Sequence, residues 1–143
     1  MAASWYLEGL HRVSSGTVVW TSATIKVMAC NAFTINQSTQ LLIGDVSSNQ
    51  VTATGYTAGG ATLASKLLNK NVANLRTEFQ AANVTWTITG TMSAQIFVFY
   101  VDTGNPATSY LLGYDDKGSA QSRTNDNFVL EFPSTNVLTI SLA

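Results

Sequence analysis

Charge is scarce in this sequence. Only 10% of the 143 residues are Asp, Glu, Lys or Arg, and the net charge is -1, whereas charged residues make up about 25% of an average protein. Proteins that bind nucleic acid without sequence preference need a basic face to neutralise phosphates, and electrostatic membrane binders need basic clusters. We therefore expect neither a direct nucleic-acid partner nor a membrane partner.

Cysteine and histidine each occur once, as Cys30 and His11. A single cysteine can form neither an intrachain disulfide nor a cysteine-based zinc site. We expect Cys30, at the end of an alternating segment, to be a small core or edge residue. We expect His11, beside Arg12, to lie at a surface or interface rather than to act as a general base. The sequence assigns no catalytic, cofactor-binding or metal-binding residues.

Long apolar runs are also missing. The longest aliphatic and aromatic run, residues 96–101, is far shorter than the roughly 20 residues of a membrane-spanning helix. The first 13 residues, MAASWYLEGLHRV, lack the apolar segment behind a basic start that marks a signal peptide. These features predict a soluble protein made in a cytoplasm.

Neutral polar residues fill the place of the missing charges, with 19 Thr, 14 Ser and 11 Asn. Such a surface lacks the charge that normally keeps small proteins apart. It is typical of a secreted or viral-type β protein, or of a subunit whose faces are buried against partners. The alternative is that a neutral polar surface is merely tolerated.

Period-two alternation of apolar and polar residues dominates after the first 16 residues and predicts β-strands. The clearest examples are residues 24–29, 84–89 and 128–132. Residues 94–101 are apolar on both faces, which predicts a central strand covered on both sides. Because hydrophobic residues make up 45% of the chain, a single domain of this length can bury a real core.

Other segments carry weaker signals. Residues 3–13 predict a short helix, which Gly9 weakens. Strands are predicted at 75–79 and 110–114 and at the C-terminus, where Leu138, Ile140 and Leu142 lie on one face; residues 51–56 are β-prone. A turn is predicted at 115–118 and a polar loop at 119–127, residues 80–82 are compatible with a helix, and the segments 41–43 and 63–70 are ambiguous. Together they predict an all-β fold, a β-sandwich or jelly-roll-like barrel of about eight or nine short strands. We expect one β domain over residues 1–143, with residues 1–16 as an N-terminal helix or arm.

The most enzyme-like string is Asp102-Thr103-Gly104, directly after the apolar strand. Aspartic proteases place such a motif after a strand, where two carboxylates share a proton. A chain with one copy would have to dimerise to be active. The alternative is a hairpin turn in which Asp102 caps its own backbone, and the three-residue motif is weak by itself.

Two further groups have a functional and a structural interpretation. Asp115, Asp116 and Asp126 offer oxygen ligands for a hard cation, but their spacing matches no calcium loop, which favours solvated turns. The three tryptophans could form a sugar-binding face or belong to the core or an interface. They are Trp5, Trp20 and Trp86. The alternation around Trp86 favours the core, and Trp20 is left open.

The order of the segments resembles a family of small structural proteins of tailed phages. The matching pieces are residues 24–27, the string VTATGYTAGG at 51–60 followed by Leu63, residues 83–87, the strand that closes in 100–104, residues 107–109 leading to 111–115, and 128–132. The likeness runs from about residue 24 to the C-terminus. Its most specific part is the Gly-Tyr-Thr-Ala-Gly-Gly string.

This resemblance implies a non-enzymatic virion protein, a capsid cement or decoration protein on the exterior of the phage head, made in the cytoplasm of the bacterial host. It implies the major capsid protein as the partner and a homo-oligomer, with a trimer favoured, because closed symmetry also satisfies sheet edges. A tail, baseplate or fibre component and a carbohydrate-binding β module are the alternatives. The candidate contact segments are residues 1–13, 31–40 and 119–127.

Overall fold

A computed structural model describes residues 2–142, so Met1 and Ala143, the outermost residues of the predicted arm and domain, lie outside the described part. The all-β prediction is confirmed, with ten strands among residues 2–142 rather than eight or nine. The strands are β1 (Ala2–Trp5), β2 (Ile25–Cys30), β3 (Ala61–Thr62), β4 (Leu67–Asn71), β5 (Arg76–Gln80), β6 (Val84–Thr87), β7 (Thr91–Val101), β8 (Leu111–Thr124), β9 (Asn127–Leu130) and β10 (Asn136–Ser141). The other regular elements among the described residues are one α-helix, α1 (Leu7–Ser14), and three short 3-10 helices, Ile43–Asp45, Ser47–Asn49 and Pro133–Thr135.

The largest sheet has five strands in the order β1-β8-β7-β2-β3, and all its pairings are antiparallel. β7 lies at its centre, as its two apolar faces predict. The two faces of β7 belong to different cores: Phe97 and Phe99 face one, while Ile96 and Val98 face the other. The central sheet is therefore covered on both sides.

The first core lies between the five-stranded sheet and the two smaller sheets. Those sheets are three-stranded, in the order β10-β5-β4, and two-stranded, β6-β9. They contribute Phe79, Trp86, Phe128 and Leu138 to this core. The sheets are open at their edges, so the architecture is a sandwich and not a closed barrel.

The second core lies on the opposite face of the five-stranded sheet. It is small and is covered by irregular chain rather than by a sheet. Its buried members are Tyr6, Met28, Cys30, Ile43, Val46, Ile96, Val98, Tyr100 and Leu111. Phe33 and Ile35, from the predicted polar loop at 31–40, pack against it, so that loop forms the lid of a core.

The N-terminal segment starts as a strand, and the helix begins only at Leu7. β1 pairs with β8, and Glu8 and Arg12 form an ion pair of 2.7 Å one turn apart on α1, a spacing that supports helices. Gly9 is buried, and a Cβ there would overlap the backbone of Leu112. Gly9 thus lowers helix propensity and at the same time permits the close approach of α1 to the sheet. No helix within residues 2–142 has the length and apolarity to cross a membrane.

The predicted turn at 115–118 and loop at 119–127 are wrong, because β8 continues through them to Thr124. The features that predicted a turn occur within the strand: Gly118 has a positive φ of 75°, and its N–H donates a hydrogen bond to Asp116 Oδ1 at 2.8 Å. The pairing with β7 shifts here, between Ala94 and Ile96. A bulge re-aims the side chains of a strand, so Met92 and Ala94 share the first core with Phe97 despite their opposite parity.

Several weaker assignments also change. Residues 51–56 form only one bridge, between Thr54 and Thr89, and residues 80–82 are not helical. Within 63–70, only 67–70 belong to a strand. Leu42 makes a single bridge to Tyr110 before a 3-10 turn. In β10 and beyond, Leu138 is buried but Ile140 and Leu142 are exposed, because nothing described covers that end of the small sheet.

Candidate interaction surface

The most unusual surface of the molecule lies on the three-stranded sheet, where large apolar side chains are exposed to solvent. The exposed fractions are 61% for Leu67, 56% for Leu68, 69% for Val72, 58% for Leu75, 37% for Ile140 and 74% for Leu142. A single exposed leucine is ordinary, whereas a concentration of them marks an interaction surface. The sheet therefore presents the best candidate site for a partner.

One part of this surface, which we call the hairpin tip, comprises Val72, Leu75, Ile140 and Leu142. The N–H of Leu142 donates to the carbonyl oxygen of Leu75 at 2.9 Å, which joins the C-terminal segment to the β4–β5 turn. The four side chains line a shallow groove of about 320 Å³, together with the basic residues Lys70 and Arg76. The tip is thus apolar with a basic rim.

Leu75 occupies a strained position in this tip. Its φ of 51° lies in the left-handed region, which glycine and asparagine tolerate and which costs a leucine free energy. Hairpin loops of a few residues commonly contain one residue in this conformation. Leu75 closes the β4–β5 turn directly before Arg76, and its side chain is 58% exposed to solvent.

The second part of the surface is the β4 edge, Leu67–Asn71. β4 pairs with β5 on one side only and ends the order of its sheet. Leu68 lies opposite Phe79, so Leu68 and Lys70 lie on the face that looks towards the first core, while Leu67 and Asn69 lie on the outer face. The edge therefore exposes a leucine on each face and one unpaired side of its backbone.

A second groove, of about 350 Å³, extends the apolar surface along the inner face. Leu68 and Ile140 form one wall, and the segment after α1 supplies Val18 and Val19. Val19 is 53% exposed. The apolar surface therefore continues from the small sheet towards the helix.

The outer face of the same sheet carries a polar network centred on Glu78. Its carboxylate accepts hydrogen bonds of 2.8 Å from Asn69 and Asn71, 2.8 Å from Arg76 and 3.2 Å from Gln80. The hydrogen bonds from Asn69 and Asn71, and then that from Arg76 with its charge, lower the pKa of Glu78 from its ordinary value of 4.5 to about 2. Glu78 is buried beneath them with 3% of its surface exposed, so it organises β4 and β5 and offers no free acid for catalysis.

The Asp102-Thr103-Gly104 segment forms the turn that the alternative interpretation predicts. Asp102 Oδ1 accepts the N–H of Gly104 at 3.0 Å, and Oδ2 pairs with Lys26 at 3.0 Å. The backbone hydrogen bond, then Lys26, lowers the pKa of Asp102. Both carboxylate oxygens of Asp102 are therefore engaged by partners within the chain.

The acidic residues singled out for a cation serve local structure instead. Asp115 pairs with Lys117 at 2.7 Å, Asp116 caps the bulge at Gly118, and Asp126 accepts the N–H of Asn127 at 2.7 Å. Among residues 2–142, no three His, Cys, Asp or Glu side chains cluster in a way that could hold a metal ion.

The tryptophans do not form a flat exposed platform. Trp20 is 2% and Trp86 5% exposed, which confirms the core interpretation for Trp86 and settles Trp20. Trp5 is half-buried, packs edge-to-face on Phe79 at 4.9 Å and donates to the carbonyl oxygen of Thr139 at 2.9 Å. The rings that a sugar-binding face would need are used to join the sheets.

The single cysteine and the single histidine lie in contrasting environments. Cys30 is fully buried in the second core, and burial raises the pKa of its thiol to about 12. His11 is exposed in the last turn of α1, as the sequence predicts. Neither lies at the hairpin tip or the β4 edge.

The string with the strongest family resemblance, residues 55–60, has a structural role. The Tyr56 hydroxyl accepts the N–H of Ala29 and donates to Gln50 Oε1, both at 3.0 Å. The Tyr100 hydroxyl donates to the Gly59 carbonyl at 2.6 Å. Gly60 has φ 85°, and a Cβ there would overlap the Val27 carbonyl, so this loop is fastened to β2 and β7.

The candidate contact segments from the sequence differ in outcome. Residues 2–14 pack on the five-stranded sheet as β1 and α1, residues 31–40 cover the second core, and residues 119–124 are strand. The sequence analysis did not predict the exposed leucines of the small sheet. Adjacent leucines in a strand necessarily point to opposite faces, so the pair at 67–68 does indicate that one leucine faces away from the core.

Comparisons with protein-family models, curated proteins and solved structures find no match to this chain.

Proposed function

We propose that the protein is a non-enzymatic structural component of a phage virion, a capsid cement protein that binds the assembled head and stabilises contacts between major capsid protein subunits. The observation that carries the proposal is the hairpin tip, an exposed apolar surface on a protein with few charges. The segment resemblance to small tailed-phage structural proteins supplies the identity of the partner. In this proposal the protein sits on the capsid exterior as a homo-oligomer.

The physical basis of the proposed stabilisation is mass action. A protein that binds only the assembled shell stabilises that shell by an amount that grows with its concentration and affinity. The hairpin tip suits such a role because its apolar side chains lose their contact with water only when a partner covers them. Arg76 on its rim is paired with Glu78, whereas Lys70 has no ion pair among residues 2–142 and fits a partner that combines apolar and acidic residues.

Add-back to heads tests the proposal. Heads of the encoding phage that lack the protein are mixed with purified protein, sedimented, and the bound protein is counted against the major capsid protein by quantitative mass spectrometry. The test variant carries Leu75→Asn and Leu142→Ser. Asparagine tolerates the left-handed backbone at position 75, and Leu142 is 74% exposed, so the variant should fold.

We expect the wild-type protein to bind at a stoichiometric ratio and to raise the temperature at which heads disrupt. The double variant should bind about thirtyfold more weakly, because the two leucines together contribute about 2 kcal/mol of apolar burial. Val129→Thr is the matched control: Val129 is 42% exposed on β9, away from the tip, and its substitution should leave binding unchanged.

Three other outcomes of the add-back experiment would change the proposal. Equal binding of the double variant would remove the tip as the interface. Binding to purified tails but not to heads would place the protein in the tail, the alternative that the resemblance also allows. Binding to neither would overturn the proposed virion function.

A further inference from the structure

The unpaired side of β4 calls for a partner of a particular kind. A strand that ends a sheet presents free N–H and C=O groups, and natural edges are commonly blunted by charge, proline or shortness. β4 has five residues, no proline, one charged residue and two leucines, and it ends the sheet order β10-β5-β4. No strand within residues 2–142 pairs with its outer side. An extended strand is therefore the occupant that satisfies both backbone and side chains.

We propose that this occupant is β4 of a second copy of the protein, paired antiparallel about a two-fold axis that passes through Asn69. The pairing would join the two three-stranded sheets into one continuous sheet of six strands. The inference goes beyond the proposed function, since it holds whether or not the protein belongs to a virion.

The faces of the sheet restrict the register. A two-fold axis perpendicular to the sheet keeps inner faces on the same side, and directly opposite residues of an antiparallel pair point to the same face. A residue must therefore lie opposite one of its own face. Leu68 and Lys70 belong to the inner face and Leu67, Asn69 and Asn71 to the outer face, so the axis passes through a residue and not between two residues.

The charges then exclude the two registers whose axis lies on the inner face. An axis through Lys70 would place Lys70 opposite Lys70 of the second copy, and an axis through Leu68 would place Lys66 opposite Lys70 twice. Like charges directly opposite each other destabilise a strand pair. An axis through Asn69 places Lys70 opposite Leu68 of the second copy, where the methylene stem of the lysine can cover the leucine.

The same register also gives the largest overlap. Asn69 is the middle residue of Leu67–Asn71, so only an axis through Asn69 pairs all five residues of both strands. A two-fold contact is closed, because it uses the same edge on both copies and leaves no further edge of this kind for growth. The pairing does not use Leu75, Ile140 or Leu142, so most of the hairpin tip stays free for another partner.

Charge variants test the register. Sedimentation velocity and light scattering should show a dimer for the wild-type protein. Leu68→Lys places lysine opposite lysine on both sides of the axis and should weaken dimerisation about tenfold or more. Adding Lys70→Glu to that variant sets lysine opposite glutamate and should restore the dimer. Leu7→Lys is the control, because Leu7 is 60% exposed on α1 and lies outside the proposed contact.

Cysteine cross-linking gives a second readout that does not depend on weakening the dimer. Opposite Cα atoms of an antiparallel pair lie about 4.5–5.5 Å apart, within disulfide range. Asn69→Cys should therefore cross-link two copies under mild oxidation. Leu67→Cys should not, because its two copies are offset by about 13 Å along the strands. Wild-type protein, whose Cys30 is buried, is the blank.

Three results would overturn the inference: a wild-type protein that stays monomeric at high concentration, a trimer unaffected by Leu68→Lys, or cross-linking through Leu67→Cys in place of Asn69→Cys. A monomer that still binds heads would overturn the β4 pairing and leave the proposed function standing. A dimer that binds no phage particle would do the reverse.

Discussion

At the scale of single residues, Tyr6 stands out in the second core. Its side chain is fully buried, and its hydroxyl has no hydrogen-bond partner among the described residues. Burial raises the pKa of this hydroxyl above its usual value. A buried polar group without a partner costs free energy because it loses its hydrogen bonds to water. The aromatic ring itself packs well, edge-to-face with Tyr114 at 5.4 Å.

We therefore expect Tyr6→Phe to raise the free energy of unfolding by about 1 kcal/mol, measured by urea denaturation. Tyr56→Phe is the matched control. The Tyr56 hydroxyl makes two hydrogen bonds of 3.0 Å, so its removal should lower stability by about 1–2 kcal/mol. A loss of stability in Tyr6→Phe would contradict the prediction and would reveal a bound partner for the hydroxyl, such as a water molecule.

At the scale of elements, the sequence predicted those strands whose own residues alternate. The segments 24–29 and 84–89 place Ile25, Val27 and Trp86 in the first core as expected, and the apolar β7 is central. The length of β8 could not be predicted from the sequence, because Asp116 and Gly118 are residues typical of turns, whereas in the structure they form a bulge within the strand. Whether such residues turn the chain or bulge it depends on pairing with β7, a long-range contact that local signals do not contain.

The candidate surface was hidden for a related reason. The segment Leu67–Asn71 alternates weakly, and its strand exists because β5 pairs with it. Exposure is a property of the packed sheet, so a leucine pair that reads as core material from sequence can end on a free edge. The fold class was therefore accessible from the sequence, whereas the interaction surface required the positions of the sheets.

The element formed by β4 and β5 should depend on pH through Glu78. Because its pKa is about 2 in the folded state and 4.5 ordinarily, the unfolded chain takes up the proton first as pH falls. The stabilisation is thus complete above about pH 4.5 and is lost between there and about pH 2. Glu78→Gln should lower the urea midpoint at neutral pH and flatten its fall over this interval.

Glu131→Gln is the control for that experiment, since Glu131 is exposed in the segment between β9 and the 3-10 helix at Pro133–Thr135. Its urea midpoint should follow the wild-type curve at every pH. If the Glu78→Gln protein kept the full wild-type pH dependence between pH 4.5 and 2, the asparagine and arginine hydrogen bonds would not be the source of the acid sensitivity.

At the scale of the whole molecule, one strand joins two cores. β7 supplies Phe97 and Phe99 to the first core and Ile96 and Val98 to the second. Neither core can lose β7 without exposing the other face of the same strand. The protein should therefore unfold as a single cooperative unit, as small single domains generally do.

The chain carries its own probes for this prediction. Trp20 and Trp86 belong to the first core and Trp5 packs against it, while the only cysteine, Cys30, is buried in the second. Tryptophan fluorescence and thiol labelling of Cys30 during urea unfolding should give the same midpoint. Ile96→Val, which removes one methyl group from the second core, should lower the free energy of unfolding by about 1 kcal/mol and should shift both midpoints equally. A shift in the thiol transition alone would mean that the irregular lid opens separately while the sandwich stays folded.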